Sequence, residues 1–292
     1  MNPIHKAFAG ILNPGVDSQQ IGELAAMLDL PISELLTLSN NRRICYRTFT
    51  VGKRGGGLRS IAAPSGYLKQ LQRRLLQNYL ETLPVHPLAC AYRRGYSIVA
   101  HARMHLNQQI VVSGDLKDFF SRTSTRRVRN FYASYGWRDE ALRILVRLSE
   151  FRGGLPQGAP TSPALSNVIN FEMDSALHEL AMMNGAQYSR YADDLAFSWS
   201  SRTVEPMTFR SSVEGLLERY EYQIQPEKGW KLQHAKEQPE LTGIAISGSR
   251  LRPCKKLRDE RNRLRWTWAK TKYQQAKLAG LNGFAKQLRR WF

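Results

Sequence analysis

One short segment, residues 188–199, constrains the fold of this chain more than any other. Residues 195–199 alternate large apolar with smaller side chains, which is the period of a half-buried β-strand. Asp193 and Asp194 come directly before this strand, so the segment predicts a β-hairpin with both aspartates at its tip. Two adjacent carboxylates repel each other unless a cation or a proton lies between them. The segment therefore predicts a charged site, although an Asp-rich turn without a function fits it equally well.

A third carboxylate follows another predicted strand. Residues 110–112 read Ile-Val-Val, and Asp115 lies where this β-branched strand ends. A strand that delivers one Asp beside a hairpin that carries two would gather the oxygen ligands that Mg²⁺ prefers. Two such ions can stabilise the attacking and leaving oxygens of a displacement at phosphorus. Asp115, Asp193 and Asp194 are therefore candidate metal ligands and candidate catalytic residues.

A turn-rich segment lies between these two sites. It reads Gly154-Leu155-Pro156-Gln157-Gly158-Ala159-Pro160-Thr161-Ser162-Pro163 and leads into a predicted helix under the sheet, with apolar residues on one stripe as far as Leu180. The order Asp115, then this segment, then Tyr191-Ala192-Asp193-Asp194 resembles a reverse transcriptase over nearly the whole chain. The resemblance implies an α+β, right-hand polymerase fold (fingers, palm and thumb) with a small N-terminal helical extension. It also implies RNA-directed DNA polymerase activity.

The composition agrees with a polyanionic partner. The chain of 292 residues has 43 Lys and Arg against 24 Asp and Glu, a formal net charge of +19. Its cysteines, Cys45, Cys90 and Cys254, have no metal-ligand spacing and are expected to be reduced thiols. We find no signal peptide and no apolar run of about 18 residues, so we expect a cytoplasmic protein without a membrane partner.

The sequence pattern and the resemblance together divide the chain. Helical spacing of apolar residues predicts two helices near the N-terminus, and packing onto the main domain is favoured there over a DNA-reading helix–turn–helix. The predicted segments are an N-terminal helical extension (1–40), fingers and palm (41–247, with fingers mainly 41–113 and 122–160 and palm mainly 114–121 and 161–247) and a basic helical thumb (248–292).

The resemblance implies several contacts to the incoming nucleotide. Residues 44–63 match the fingers hairpin, in which Arg59 would bind the triphosphate through its planar fork, with Lys53 as a weaker match. Phe120 matches an aromatic residue beneath the nucleotide sugar, where a ring would exclude a 2′-hydroxyl and so select deoxynucleotides. Gln157 matches a glutamine near the same sugar.

The resemblance also implies roles for residues in the last third of the chain. Lys228 matches a lysine that would protonate the leaving pyrophosphate as a general acid. Leu241-Thr242-Gly243 is similar to a Val-Thr-Gly signature and would hold the primer end through Thr242 and Gly243. From Arg250 onward we expect a helical thumb that binds the nucleic-acid duplex with basic and aromatic side chains, namely Arg258, Arg261, Arg265, Trp266 and Lys270.

Three short segments favour retron enzymes among the reverse transcriptases. One is the sequence of Leu155–Pro163, and another is Leu241-Thr242-Gly243. The third is His101-Ala102-Arg103-Met104-His105, which is similar to the retron signature Asn-Ala-x-x-His but has His in the first position. His101 and His105 also have the spacing of a zinc pair on a helix, but without a third ligand a structural role is favoured. The length is expected to leave no room for an RNase H, integrase or maturase–endonuclease domain.

A retron assignment implies specific partners. These are a dedicated structured non-coding RNA, the small RNA-linked single-stranded DNA copied from it (msDNA), dNTPs, and an effector protein encoded nearby, within an anti-phage defence system. Two Mg²⁺ ions are the expected cofactors, and Mn²⁺ could replace them. The alternatives are another bacterial reverse transcriptase, of the diversity-generating or abortive-infection type, and a catalytically dead RNA-binding scaffold.

Overall fold

The computed structural model describes residues 17–38, 45–52, 57–201, 206–266 and 271–289. Its helices are α1 Asp17–Leu28, α2 Ile32–Thr37, α3 Gly66–Asn78, α4 Ile98–Arg103, α5 Phe119–Arg122, α6 Thr125–Ser134, α7 Asp139–Ser149, α8 Ser162–Ile169, α9 Phe171–Met183, α10 Pro206–Arg219, α11 Lys255–Trp266 and α12 Lys272–Arg289. Its strands are β1 Tyr46–Gly52, β2 Leu58–Pro64, β3 Ile110–Asp115, β4 Gln187–Tyr191, β5 Asp194–Trp199, β6 Lys231–His234, β7 Glu240–Leu241, β8 Ile244–Ser247 and β9 Arg250–Pro253. The mixture of helices with mostly antiparallel sheets confirms the predicted α+β class.

The chain folds into two compact units, each built from two separate stretches of sequence. The first unit comprises Met1–Val85 and Asp118–Asn170, and the second comprises His86–Lys117 and Phe171–Phe292. The three aspartates of the sequence analysis all belong to the second unit.

The first unit has a helical core. Helices α1 and α2 bury their apolar faces in the same cluster as α3, α6 and α7, with Leu24, Leu28 and Leu35 fully buried. The Gln20 side chain adds a hydrogen bond to the main-chain oxygen of Gly136 at 2.8 Å. These contacts confirm that the N-terminal helices pack onto the rest of the chain.

A β-hairpin completes the first unit. Strands β1 and β2 pair antiparallel from Tyr46 opposite Pro64 to Gly52 opposite Leu58, close to the predicted bounds. Lys53, at the predicted tip, lies outside the described residues. Arg59 lies on β2 and its side chain is exposed.

The second unit is built on a four-stranded antiparallel sheet with the order β4-β5-β3-β6. The prediction that the strand at 195–199 is half-buried is wrong, because both of its faces are covered. Its large side chains contact Phe209 of α10, whose ring centroid lies 5.0 Å from that of Trp199. Its small side chains face another apolar cluster that includes Ala102 of α4. Small residues on one face therefore made room for a second packed layer.

The predicted single helix over 162–180 is also wrong. It consists of α8 and α9, which are separated at Asn170, where the side-chain amide donates to the main-chain oxygen of Ser166 at 2.7 Å. Arg127 in turn donates to the Asn170 side-chain oxygen at 2.7 Å. Helix α9 packs beneath the sheet, against β4. The buried side-chain hydrogen bonds of one Asn thus end a helix that apolar spacing alone would continue.

The C-terminal part contains a three-stranded antiparallel sheet, β7-β8-β9, followed by α11 and α12. The prediction of helix from Arg250 onward is wrong for Arg250–Pro253, which pairs with β8 as a strand. Leu251 is buried between exposed Arg250 and Arg252, so a period of two was present in this short basic segment. No helix in the described part of the chain is long and apolar enough to cross a membrane.

Candidate active site

The turn between β4 and β5 carries the Asp pair, as predicted, and is fixed by buried charges. Arg190 on β4 is fully buried and binds Asp174 of α9 with two hydrogen bonds, at 2.7 and 2.6 Å. A third donor of the same guanidinium reaches the main-chain oxygen of Ala192 at 3.1 Å, and Ala192 adopts a left-handed conformation with φ of 59°. The hydroxyl of Tyr188 donates to Asp174 at 2.7 Å. The buried ion pair therefore holds the residue that precedes the aspartates.

The sheet register brings Asp115 to the aspartate pair. Asp115, the last residue of β3, lies directly opposite Asp194, the first residue of β5. The next amide along, that of Leu116, donates to the main-chain oxygen of Asp193 at 2.8 Å. This confirms the predicted convergence of a strand end with the hairpin tip, since both carboxylates lie at the same end of two paired strands.

The two carboxyl groups share a hydrogen bond and differ in pKa. Burial raises the pKa of Asp194 well above its usual range, and the hydrogen bond with Asp115 and the negative charges of Asp193 and Asp115 raise it further. Burial also acts to raise the pKa of Asp115, but its hydrogen bonds with Asp194 and Lys228 outweigh that effect and lower the pKa. At neutral pH, Asp194 is therefore protonated and donates to an ionised Asp115.

Lys228 neutralises part of this charge. Its Nζ lies 2.6 Å from Oδ2 of Asp115, although its side chain is 64% exposed. The hydrogen bond to Asp115 raises the pKa of Lys228 despite partial burial, which acts in the opposite direction, and the nearby carboxylates raise it further. The ammonium group is therefore fully charged at neutral pH and has a proton to donate.

A cavity of about 330 Å³ opens at these residues, entirely within the second unit. Its lining includes Asp115, Asp194, Lys228, Trp230, His101 and Thr242. With Glu240 and Lys231, the lining combines three carboxyl groups, two ammonium groups and neutral polar side chains, so the cavity can take a ligand that carries both hydroxyl groups and anionic oxygens.

The carboxyl pair fits a divalent cation by its donor chemistry. Two carboxyl groups share one proton, and a hard cation that displaced this proton would gain two oxygen ligands. Among the residues that the structure describes, no cluster of three or more His, Cys, Asp or Glu side chains is arranged to hold a metal ion. Ligation by all three aspartates and the binding of two ions remain predictions.

Three of the predicted nucleotide-binding residues lie in the first unit. The main-chain oxygen of Gln157 accepts from the amide of Ala62 at 2.9 Å, which joins this segment to the strand that carries Arg59. Gly154 begins the segment where only glycine fits, since a Cβ there would lie 2.1 Å from the main-chain oxygen of Ser121. Phe120 is partly buried against the helical core, and its main-chain oxygen accepts from the amide of Leu155 at 3.1 Å.

The predicted nucleic-acid contacts lie at two places in the second unit. Thr242 and Gly243 form the two-residue turn between β7 and β8, both with positive φ. Arg258 and Arg261 of α11 line a second cavity, of about 440 Å³, with Arg250 and Arg252 of β9. The predicted contacts farther along the chain are Arg265, which is exposed, Trp266, which is 85% exposed, and Lys270, which lies outside the described residues.

Sequence reasoning missed the ion pair of Arg190 and Asp174. A signal was present, because Arg190 lies two residues after Tyr188, on the same face of β4, and Asp174 lies among the apolar positions of its helix. His101 and His105 do have the structural role that was favoured over zinc binding. Both are fully buried and share the hydroxyl of Ser189, at 2.8 and 2.7 Å.

Comparison with known proteins agrees with this geometry. The family described as reverse transcriptase (RNA-dependent DNA polymerase) matches residues 51–246. Retron Mx162 reverse transcriptase of Myxococcus xanthus is 36% identical over 253 residues, which cover 78% of this chain and 51% of the relative. Retron Mx65 reverse transcriptase of the same organism is 36% identical over 75% of this chain and 54% of the relative. Retron Ec86 reverse transcriptase of Escherichia coli is 32% identical over 69% of this chain and 63% of the relative.

These relatives confirm the predicted resemblance to retron reverse transcriptases, although the chain spans only about half to under two thirds of their length. The family match covers most of the chain and includes Asp115, the Gly154–Pro163 segment and the Asp193-Asp194 turn. The chain belongs to the reverse transcriptase family.

Proposed function

We propose that this protein is an RNA-directed DNA polymerase of the retron type. The observation that carries the proposal is the pairing of Asp115 with Asp194 at the adjoining ends of strands β3 and β5, beside Lys228. A polymerase active site needs carboxylates that bind divalent cations and a cation that can meet the leaving phosphate. The matched retron enzymes support the retron type.

The residues would take the following roles. Asp115, Asp194 and the adjacent Asp193 would hold divalent metal ions, with Mg²⁺ as the proposed species. Such ions, when bound, supply charge stabilisation for the attacking and leaving oxygens. Asp194 must lose its proton before it can serve as a ligand, because the shared proton occupies the same carboxyl oxygens. Lys228 then holds a proton at Nζ for the pyrophosphate that leaves when a primer oxygen attacks the α-phosphorus of a dNTP.

The substrates and partners are proposed on the same basis. The template would be a dedicated non-coding RNA, primed by a 3′-hydroxyl or by the 2′-hydroxyl of a guanosine within that RNA, and the product would be msDNA in the cytoplasm. Arg59, Phe120 and Gln157, together with Lys53, would bind the incoming dNTP, and Arg258, Arg261, Arg265, Trp266 and Lys270 would bind the duplex. In this proposal the first-unit hairpin belongs to the fingers, the four-stranded sheet to the palm and α11–α12 to the thumb. An effector protein and a role in anti-phage defence would follow from the retron type.

Two other functions remain as alternatives. A diversity-generating or abortive-infection reverse transcriptase would use the same carboxylates with a different template. A dead RNA-binding scaffold is disfavoured, because a protein that only binds RNA gains nothing from two carboxyl groups held together where burial raises the pKa of one of them. The net positive charge of the chain would serve all three functions equally.

Lys228 offers a first test of the proposed chemistry. We expect Lys228→Ala to lower kcat for dNTP incorporation by about 10²-fold, because general acids contribute on this scale, with a much smaller change in KM. Lys228→Arg keeps the charge near Asp115 but is a poor proton donor, so it should restore little of the rate. Single-nucleotide extension kinetics would measure both constants.

The matched control for Lys228 is Lys236→Ala, which removes an exposed lysine of the same unit. An equal loss for Lys228→Ala and Lys236→Ala, a loss confined to KM, or a rate restored by Lys228→Arg would contradict the role of Lys228 as general acid.

The function itself is tested by the nucleic acid that copurifies with the protein when it is expressed from its native locus. A short DNA that stays joined to RNA after denaturation, and is absent with Asp193→Asn, is the expected result. Separate RNase and DNase treatment followed by sequencing would identify template and product. RNA alone in both samples would support the scaffold, and DNA without an RNA linkage would support another class of reverse transcriptase.

A further inference from the structure

The segment that carries Lys228 loops out of the pairing along one side of β3. Strand β6 pairs with β3 in a regular antiparallel register that begins at Lys231. If this register continued, Leu116 would lie opposite Lys228, but Leu116 instead forms an isolated antiparallel bridge with Ile224. Four extra residues, 226–229, therefore leave the ladder as a loop. Such insertions beside an active site typically change the direction of one side chain.

Main-chain hydrogen bonds fix the first end of this loop. The amide of Gln225 donates to the main-chain oxygen of Asp115 at 2.8 Å, and the amide of Lys117 donates to that of Gln223 at 2.9 Å. The amide of Gly229 also donates to the main-chain oxygen of Gln225, at 2.9 Å, and so draws the two ends of the loop together. These bonds involve only backbone atoms, so they do not depend on particular side chains.

The second end of the loop is fixed by one side chain, that of Trp230. Continuation of the β6 register places Trp230 opposite Gly114. A Cβ on Gly114 would lie 2.8 Å from Cε3 of the indole ring and 3.1 Å from Cδ1 of Ile224, so the two ends of the loop meet over this glycine. The ring nitrogen Nε1 donates to Oε1 of Glu214, on α10, at 2.7 Å. The ring centroid lies 6.2 Å from that of Phe197 on β5.

The location of the Lys228 ammonium group depends on this backbone. The side chain is 64% exposed and has four rotatable carbon–carbon bonds, so little packing restrains it beyond its contact with Asp115. A general acid must lie within hydrogen-bond reach of the atom that receives its proton, and a displacement of about 1 Å can cost a large part of its effect. The loop that carries Lys228 must therefore be held at both ends.

We propose that Trp230 is a positioning residue for Lys228. Seated on Gly114 and anchored by Glu214, its ring fixes the second end of the loop and so sets the distance between the ammonium group and the leaving pyrophosphate. This inference rests on the proposed polymerase function. It deepens that function because it assigns the side chain through which the sheet orients the proposed general acid.

The test is a double-variant cycle, measured by single-nucleotide extension of one primer–template with one dNTP and Mg²⁺. We expect Trp230→Ala to lower kcat by about tenfold with little change in KM, because the general acid is displaced while nucleotide binding is kept. In a protein that already carries Lys228→Ala, the same substitution should lower kcat by less than about twofold, since no ammonium group remains to be positioned. Trp230→Phe keeps a ring over Gly114 and should retain most of kcat.

A second variant acts on the anchor of the ring. Glu214 is exposed on α10, so its replacement should leave the fold intact. Glu214→Ala should lower kcat by about threefold, the effect of one hydrogen bond, whereas Glu214→Gln keeps an acceptor oxygen and should retain the rate. If Trp230→Ala does not fold, Glu214→Ala takes its place in the cycle with Lys228→Ala.

The matched control is Leu232→Ala, which removes a 41% exposed apolar side chain two residues along β6 and should change kcat by less than about twofold. Losses that multiply in the double variant would mean that Trp230 acts independently of Lys228, and a change confined to KM would mean that the ring binds the nucleotide. Either result would overturn the inference while leaving the polymerase function intact. Failure of the unchanged protein to extend the primer would overturn the proposed function and the inference with it.

Discussion

Asp115→Asn should reduce primer extension by at least about 10³-fold, because it removes a charge that the proposed ions and the Lys228 ammonium both require. The substitution keeps the size of the side chain and its ability to bond to Asp194. The ion pair that is lost with the exposed Lys228 is worth no more than about 1 kcal/mol, so thermal stability should change little. RNA binding should be retained, since the net charge changes only from +19 to +20.

The control for this experiment is Asp118→Asn, which makes the same charge change at an exposed residue three positions away. Asp118 has φ of 50°, a conformation that Asn also tolerates, so the fold should be unaffected. Extension rates measured under single-turnover conditions, with RNA affinity measured in parallel, would separate chemistry from binding. If Asp115→Asn extended primers within tenfold of the unchanged protein, the assignment of this carboxylate to catalysis would be wrong.

Asp174→Ala should lower the free energy of unfolding of the second unit by about 3–5 kcal/mol. The reason is that Arg190 is fully buried and would keep its charge without its partner. The turn before Asp193 would also lose its anchor, because the same guanidinium holds the oxygen of Ala192. Activity should therefore fall together with stability. Hydrogen exchange of β4 and β5 amides, together with chemical denaturation, would report the change.

Two further variants distinguish the loss of a partner from the loss of a salt bridge as such. Asp29→Asn, which keeps a residue that tolerates the φ of 51° there, breaks an exposed ion pair with Arg74 and should cost no more than about 1 kcal/mol. The double variant Asp174→Leu with Arg190→Met replaces both charges by apolar groups and should recover much of the lost stability. Recovery of stability without recovery of activity would show that Arg190 is needed to position the turn. A small effect of Asp174→Ala alone would contradict the role given to the buried pair.

Local pattern was sufficient for the parts of the site that depend on chain direction and strand period. The β-branched run before Asp115 and the alternation after Asp194 each predicted a strand, and an aspartate at the end of a strand can be located from its neighbours alone. The helices at the N-terminus were also predictable, because their apolar residues recur at helical spacing. In each case the signal lies within about ten residues of the feature that it predicts.

Features that depend on distant partners were not predictable in this way. At the break at Asn170, the side chain accepts a hydrogen bond from Arg127, which lies 43 residues earlier, and apolar spacing carries no record of that partner. The burial of both faces of β5 depends on α10 on one side and the α4 cluster on the other. Each unit is formed by two stretches that alternate along the sequence, so no single change in amino-acid composition marks the boundary between the units.

The sequence by itself determined the family, the order of the three aspartates and the strands that carry two of them. Only the tertiary structure decided that Asp194 shares a proton with Asp115, that Arg190 is neutralised by Asp174, and that His101 and His105 share the hydroxyl of Ser189. The physical reason is that pKa values and hydrogen-bond satisfaction depend on which groups lie within a few ångströms and on how much water reaches them. Those distances are fixed by packing between segments far apart in the chain.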